Sequence, residues 1–188
     1  MAQATPLNDA QIKRALLYCQ ARRHITRDTT ILQFSLYTGL RAKELAALRI
    51  LDVYDAEGAV RTQFTLSKSQ TKGSRARTVF INKQLAQRIA VYRKWRCCTD
   101  AAAPLFRSQK GGHFSANTMC QLFLNIFRAC GLQGASSHSG RRTFITRLAN
   151  KGIGVRVLAA LAGHSSIAVA QLYIDVNDAK LANAVELL

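Results

Sequence analysis

The chain has 188 residues, with 27 Lys+Arg against 10 Asp+Glu and a formal net charge of +17 at pH 7. Hydrophobic residues make up 48% and mean hydropathy is −0.02, yet no apolar run is long enough to span a bilayer, which excludes a disordered tail and an integral membrane protein. The five cysteines are odd in number and lack C-x-x-C spacing, and residues 1–6 lack the basic-then-apolar order of a secretory signal, so reduced thiols in a cytoplasmic protein are expected.

Asn8 with Gln11 three residues on forms a capping box, and Ile12, Leu16 and Cys19 follow on one helical face. A second apolar stretch, 30–37, stops at Gly39, and 41–49 reads as another short helix. Val60, Thr62, Phe64 and Leu66 alternate with polar neighbours, as do the bulky residues of 78–81. The Ser/Gly/Lys/Arg-rich stretch 67–77 joins them, which predicts an antiparallel hairpin with a basic tip. Residues 83–97 return to helical spacing and 104–112 reads as a loop. After Ser115, a favoured N-cap, Met119, Leu122, Phe123, Ile126, Phe127 and Cys130 recur every three or four residues, the clearest buried helix in the chain. Helical segments then follow at 139–150, 155–161, 167–173 and 177–187. There is no repeat, low-complexity linker or second domain, so the expected fold is mainly α with one small antiparallel sheet (α+β), in a single domain over 1–188.

The charge is unevenly placed. Between Gly58 and Gln171 stand eighteen Lys/Arg and one acid, Asp100. A surface so one-sided repels itself, and a polyanionic partner relieves the repulsion. Double-stranded DNA is favoured over a membrane, because the cations are spread over loops, a hairpin and several helices rather than gathered on one amphipathic helix.

Five stretches carry chemistry. They are T-G-L-R-A-K-E-L at 38–45, T-K-G-S-R-A-R at 71–77, H-S-G-R-R-T at 138–143, L-A-G-H at 161–164, and Tyr173 nine residues after His164. In this order and spacing they resemble the catalytic domain of the tyrosine recombinases, the phage integrase family, over nearly the whole chain from Leu7. The resemblance implies that family's catalytic-domain fold and a role for each matching position. Arg41 matches the first catalytic arginine and Glu44 the acidic residue that supports the site. Lys72 sits where the family places its hairpin lysine. His138 and Arg141 match the H-x-x-R pair, His164 the G-H histidine, and Tyr173 the nucleophile. One departure is visible: Gly140 stands where the family most often has leucine, a position expected to pack behind the site.

The residue types suit the implied chemistry. Covalent cleavage of a phosphodiester needs a nucleophile, cations on the two non-bridging oxygens, and an acid for the departing oxygen. Tyr173 supplies a phenol. Arg41 and Arg141 supply permanently charged forks that grip two oxygens each. His138 and Arg141 are three apart, so on a helix starting near Ser139 both can face one phosphate. Lys72, on the hairpin tip, is placed to protonate the leaving 5′ oxygen, with Lys68 its rival. His164 can bond a phosphate oxygen and Glu44 can hold a cation. Lys68, Arg75, Arg77, Arg142 and Arg147 are read as phosphate-positioning DNA contacts or solvated charges. His24 and His113 match no motif and read as surface residues, and Cys97 and Cys98 as ordinary thiols at a helix end. No metal or other cofactor is expected, since neither a P-loop nor a two-metal carboxylate cluster is present.

By resemblance, Tyr173 forms a 3′-phosphotyrosyl bond and releases a 5′ hydroxyl, and another strand's 5′ hydroxyl reverses the step. That is site-specific recombination: integration, excision, inversion or resolution. The alternatives are a type IB topoisomerase-like nicking and resealing enzyme, and a non-cutting DNA-binding regulator of the same fold. About six residues precede the matched region, where most of the family carries an N-terminal core-binding domain. That leaves a natural one-domain member, similar in length to the fimbrial-type DNA invertases, or an excised fragment; Met1 fits the first. Ala179, Leu181, Ala182, Val185 and Leu187 form an apolar stripe past Tyr173. In the family such a helix packs into a neighbouring protomer, so a homo-tetramer on DNA is expected, with docking on the chain's own core as the alternative. The implied setting is a bacterial or phage-encoded protein associated with the nucleoid.

Overall fold

A computed structural model describes residues 4–71, 76–164, 166–173 and 186. Helix α1, Asp9–Gln20, begins at the capping box read from the sequence: the Asn8 side chain accepts from the Gln11 N–H, and the Gln11 side chain accepts in return from the Asn8 N–H, both at 2.9 Å. Ile12, Ala15 and Cys19 are buried on its inner face. Helix α2, Ile25–Thr38, starts five residues before the expected stretch, because its first turns bury Arg27, Asp28 and Thr29 rather than apolar side chains. Arg22 and Arg27 lie 2.7 and 2.8 Å from the Asp28 carboxylate, an ion-paired cluster that a hydrophobic pattern does not reveal. The helix ends where expected, at Gly39 in the left-handed region (φ 63°).

The stretch expected as one helix over 41–49 is two, α3 at Ala42–Ala46 and α4 at Ile50–Val53. Their break has a tertiary cause. The Leu48 carbonyl accepts from the Leu105 N–H at 2.8 Å and the Ile50 N–H donates to the Ala103 carbonyl at 3.0 Å, so a distant loop takes the backbone groups that would continue the helix. Each short helix opens with a carboxylate reaching back to its N-terminal N–H, Glu44 to Arg41 and Asp52 to Arg49, both at 2.8 Å.

Strands β1, Gln63–Leu66, and β2, Arg77–Phe80, form the expected antiparallel hairpin with Phe64 opposite Val79. Val60 and Thr62 lie outside it: Val60 bridges Tyr54, and Thr62 keeps one bond, to the Ile81 N–H at 2.8 Å. The tip residues Lys72 and Arg75 fall outside the described residues.

Helix α5 runs Lys83–Arg96 and α6 Ala116–Ala129. Helix α6 is capped by the Ser115 side chain and buries Met119, Leu122, Phe123, Ile126 and Phe127. Five such side chains withdrawn from water contribute roughly 1.5–3 kcal/mol each. Helices α7, Ser139–Asn150, α8, Val155–Ala162, and α9, Ile167–Gln171, complete the described fold. The main core joins α1 to α6 and the hairpin, while Leu158, Ala159 and Ala170 make a small second cluster under α7 and α8. Helix α7 packs directly on α2. The apolar stripe expected over 177–187 lies outside the described residues. Among the described residues no helix is long and apolar enough to cross a membrane.

Candidate active site

The site forms where the end of α2, the start of α7 and the end of α8 converge. Gly39 reverses the chain after α2, and its carbonyl, freed by that turn, accepts from an Arg141 guanidinium N–H at 2.9 Å. Only glycine fits there, since a Cβ would lie 2.6 Å from the Phe144 ring in addition to the left-handed strain. Two residues on, Arg41 donates to Glu44 from both its backbone and its guanidinium, at 2.8 and 3.1 Å. Glu44 is fully buried.

A second cation shares that carboxylate. Arg77, on β2, donates to Glu44 Oε2, the oxygen that also accepts from the Arg41 N–H, at 3.1 Å and to the Leu161 carbonyl at 2.8 Å, and its side chain is 9% exposed. It is therefore buried at the heart of the site rather than solvated or spread on a DNA-facing surface, as the sequence suggested. The turn at Gly163, left-handed at φ 64°, rests on the Arg77 side chain so closely that a Cβ would lie 2.6 Å from its Cδ. Arg77 thus ties Glu44 to the turn that presents His164. A sequence signal existed: Glu44 sits among Ala42, Leu45 and Ala46 on an apolar face, and a carboxylate there needs more than one half-exposed arginine.

Arg141 is buried, and one terminal nitrogen of its guanidinium has no hydrogen-bond partner among the described residues. Burial, then the charges of Arg41 and Arg77, push its pKa down to about 9, which still leaves it cationic at neutral pH. The ring of His164 stacks on that of Tyr173 with centroids 6.0 Å apart and planes 21° apart. The Arg142 guanidinium lies 5.1 Å from the Tyr173 ring centroid, a cation–π contact in place of the expected phosphate or solvent contact. Tyr173 lies in a turn just past the end of α9. One chain therefore pairs Arg41 and Arg77 on Glu44, seats the Gly163 turn before His164 on Arg77, and stacks His164 on Tyr173.

The remaining sequence-derived positions lie further out. His138 is exposed at the N-cap of α7, three residues before Arg141. Gly140 packs behind the site against Ser35 of α2. Arg147 pairs with Asp9 of α1, and Lys68 is exposed where the hairpin tip begins. His113 is exposed, with Nδ1 3.2 Å from the Ala46 carbonyl, whereas His24 is half-buried rather than a surface residue.

Burial, then Arg141, Arg41 and Arg77, push the His164 pKa from 6.5 down to about 4. The folded protein therefore binds fewer protons at this ring than the unfolded chain between those values. Its stabilising contribution is complete above pH 6.5 and is lost as pH falls toward about 4. In His164→Asn, the urea midpoint is expected to fall less steeply across that window than in the native protein; parallel profiles would contradict the assignment.

Arg41, Arg77 and Arg141 against the one Glu44 carboxylate leave an excess of two positive charges, and Arg142 on the Tyr173 ring adds a further one. That excess matches a phosphodiester, singly charged at rest and doubly charged when a fifth oxygen attacks its phosphorus. The phage integrase family model matches residues 6–180. The tyrosine recombinase XerA of Pyrococcus furiosus is 31% identical over 163 residues, covering 85% of this chain and 54% of that protein. Among solved structures, the Tn1549 transposon integrase in complex with circular intermediate DNA superposes with a TM-score of 0.77 at 24% identity, covering 100% of this chain and 68% of that one. The catalytic domain of bacteriophage HP1 integrase gives 0.66 at 22% identity, covering 98% of this chain and 95% of that one. The chain spans about half the length of the curated relatives it matches. A match over 6–180, which takes in all five motif stretches from Thr38 to Tyr173, places this chain in the phage integrase family, the tyrosine recombinases.

Proposed function

We propose that this chain provides the catalytic domain of a site-specific DNA recombinase that cuts and rejoins strands through a 3′-phosphotyrosyl intermediate. The observation that carries the reading is the position of Tyr173, stacked on His164 with the Arg142 guanidinium 5.1 Å from its ring centroid, in a single chain. Arg41 and Arg141 hold the non-bridging oxygens while the Tyr173 oxygen bonds to phosphorus and the bond to the 5′ oxygen breaks. Lys72 donates the proton that the 5′ oxygen takes up, and the phenol's proton leaves to solvent. His138 and His164 bond the phosphate oxygens, and Glu44 with Arg77 fixes the direction of Arg41. Attack by a 5′ hydroxyl of another strand reverses these steps, so no metal or nucleotide enters the balance.

Double-stranded DNA is the proposed substrate, supported by the net charge of +17. The assignment of 1–188 to one domain, a cytoplasmic setting and a tetrameric assembly through the C-terminal segment belong to the same proposal. A largely apolar cleft lined by Thr78, Phe80, Arg156, Val157, Ala160 and Leu161, with Phe80 and Val157 both exposed, supports the last of these by offering such a segment a seat.

The test is a DNA duplex nicked beside the cleavage site, so that the cut end diffuses away and the covalent complex accumulates. The native chain is expected to give a protein–DNA adduct stable to denaturant, and Tyr173→Phe none. Arg141→Ala is expected to bind DNA but lose the adduct. A native protein that binds the cognate site without forming an adduct would overturn the reading.

A further inference from the structure

A second cavity lies at the opposite end of α2. It encloses about 350 Å³ between the α1–α2 turn, the end of α5 and the loop after Phe106, and is lined by Arg23, His24, Arg27, Trp95, Arg96 and Arg107. Helix α2 has 14 residues, so about 20 Å separate this cavity from Gly39 and Arg41. Among the described residues no carboxylate lines it. Asp28, in the first turn of α2, is fully buried and already shared by Arg22 and Arg27.

The cations are held in place. Arg27 is buried, donates to the Arg107 carbonyl at 3.0 Å and lies 5.1 Å from the Phe114 ring centroid. Arg107 is oriented by the Gly111 carbonyl, which accepts from its Nε at 2.9 Å. Two polar atoms of the lining, Arg96 Nε and His24 Nε2, are buried without a hydrogen-bond partner among the described residues. Buried groups of this kind are ordinarily satisfied by something. His24 also heads α2 without capping it by a side-chain bond, so the positive end of that helix adds to the same field. At the rim stands Trp95, 51% exposed, its ring 5.6 Å from that of Tyr92.

We propose that this cavity binds a free nucleotide, with its phosphates on Arg23, Arg96 and Arg107 and its base stacked on Trp95. The volume falls in the range of small-molecule sites, larger than a bare phosphate fills. Guanidinium forks match phosphate oxygens, and an exposed indole beside them matches a flat base. The site is separate from the recombinase reading and does not depend on it.

Trp95 is the chain's single tryptophan, so its fluorescence, excited at the red edge of the indole band, reports on this cavity. Titrating the 188-residue chain with ATP is expected to give a saturable change that pyrophosphate reverses by competition. Arg23→Gln and Arg96→Gln are each expected to weaken ATP binding about tenfold, the loss of one charge-assisted bond. Arg23 is exposed, so its replacement leaves the fold intact. Arg41→Gln, in the other site, is expected to leave the titration unchanged. No saturable response to ATP, undiminished affinity in Arg23→Gln, or a response to duplex DNA alone would each overturn the proposal.

Discussion

Replacing Glu44 with glutamine is expected to cost the folded protein about 3–5 kcal/mol, the usual loss when one member of a buried ion pair is removed. For a chain of this size that lowers the melting temperature by about 6–20 °C. Glu44 is fully buried and pairs with two arginines at once, Arg41 at 3.1 Å and Arg77 at 3.1 Å. Burial and the Arg41 charge already push the Arg77 pKa down, and Glu44 is what opposes them. Without it three guanidiniums face one another with no counter-charge. The loss therefore comes from stranded charge, and Glu44→Gln with Arg77→Met is expected to recover part of it, because methionine fills the space under Gly163 without a charge. Urea unfolding of the native protein, the single variant and the double variant checks this. A double variant no more stable than Glu44→Gln would show that the loss has another origin.

Gly140→Leu, which installs the residue the family most often has there, is expected to destabilise by more than about 3 kcal/mol, beyond the ordinary range for overpacking. Even a Cβ at position 140 would lie 2.8 Å from the Ser35 Cβ and closer still to its Oγ. Neither partner can yield cheaply, since both sit on helices, α2 and α7, whose contact aims Arg141 at the Gly39 carbonyl. The same variant is therefore expected to lose adduct formation along with stability. Gly140→Ala isolates the steric part. It is expected to cost about 1–3 kcal/mol alone and markedly less in a Ser35→Gly background, although that glycine costs about 1 kcal/mol by itself in a helix. Ser35 Oγ has no hydrogen-bond partner among the described residues, so its removal breaks no bond. Strict additivity of the two substitutions would place the clash elsewhere.

Local order was legible from residue pattern alone. Asn8 and Gln11 announce the start of α1, Gly39 the end of α2, and the three-and-four spacing from Met119 to Phe127 the buried face of α6. These features are encoded within a turn or two of chain, where periodicity and capping act. The motif residues Arg41, Glu44, Arg141, His164 and Tyr173 were legible for a different reason: the order and spacing of the stretches that hold them resemble the motifs of the tyrosine recombinases. Arrangement across distance was not. Arg77 meets Glu44 across 33 positions and Arg141 meets Gly39 across 102, and nothing in either local stretch says which way a guanidinium will turn. The division of 41–49 into two helices was equally hidden, because the groups that interrupt it come from Ala103 and Leu105. So the identities of the proposed reacting groups and most helix limits reside in the order of residues. Which arginine is sunk beside the carboxylate, which rests on the tyrosine, and how near α2 and α7 approach emerge only when the core closes, because burial and charge pairing are settled by neighbours remote along the chain.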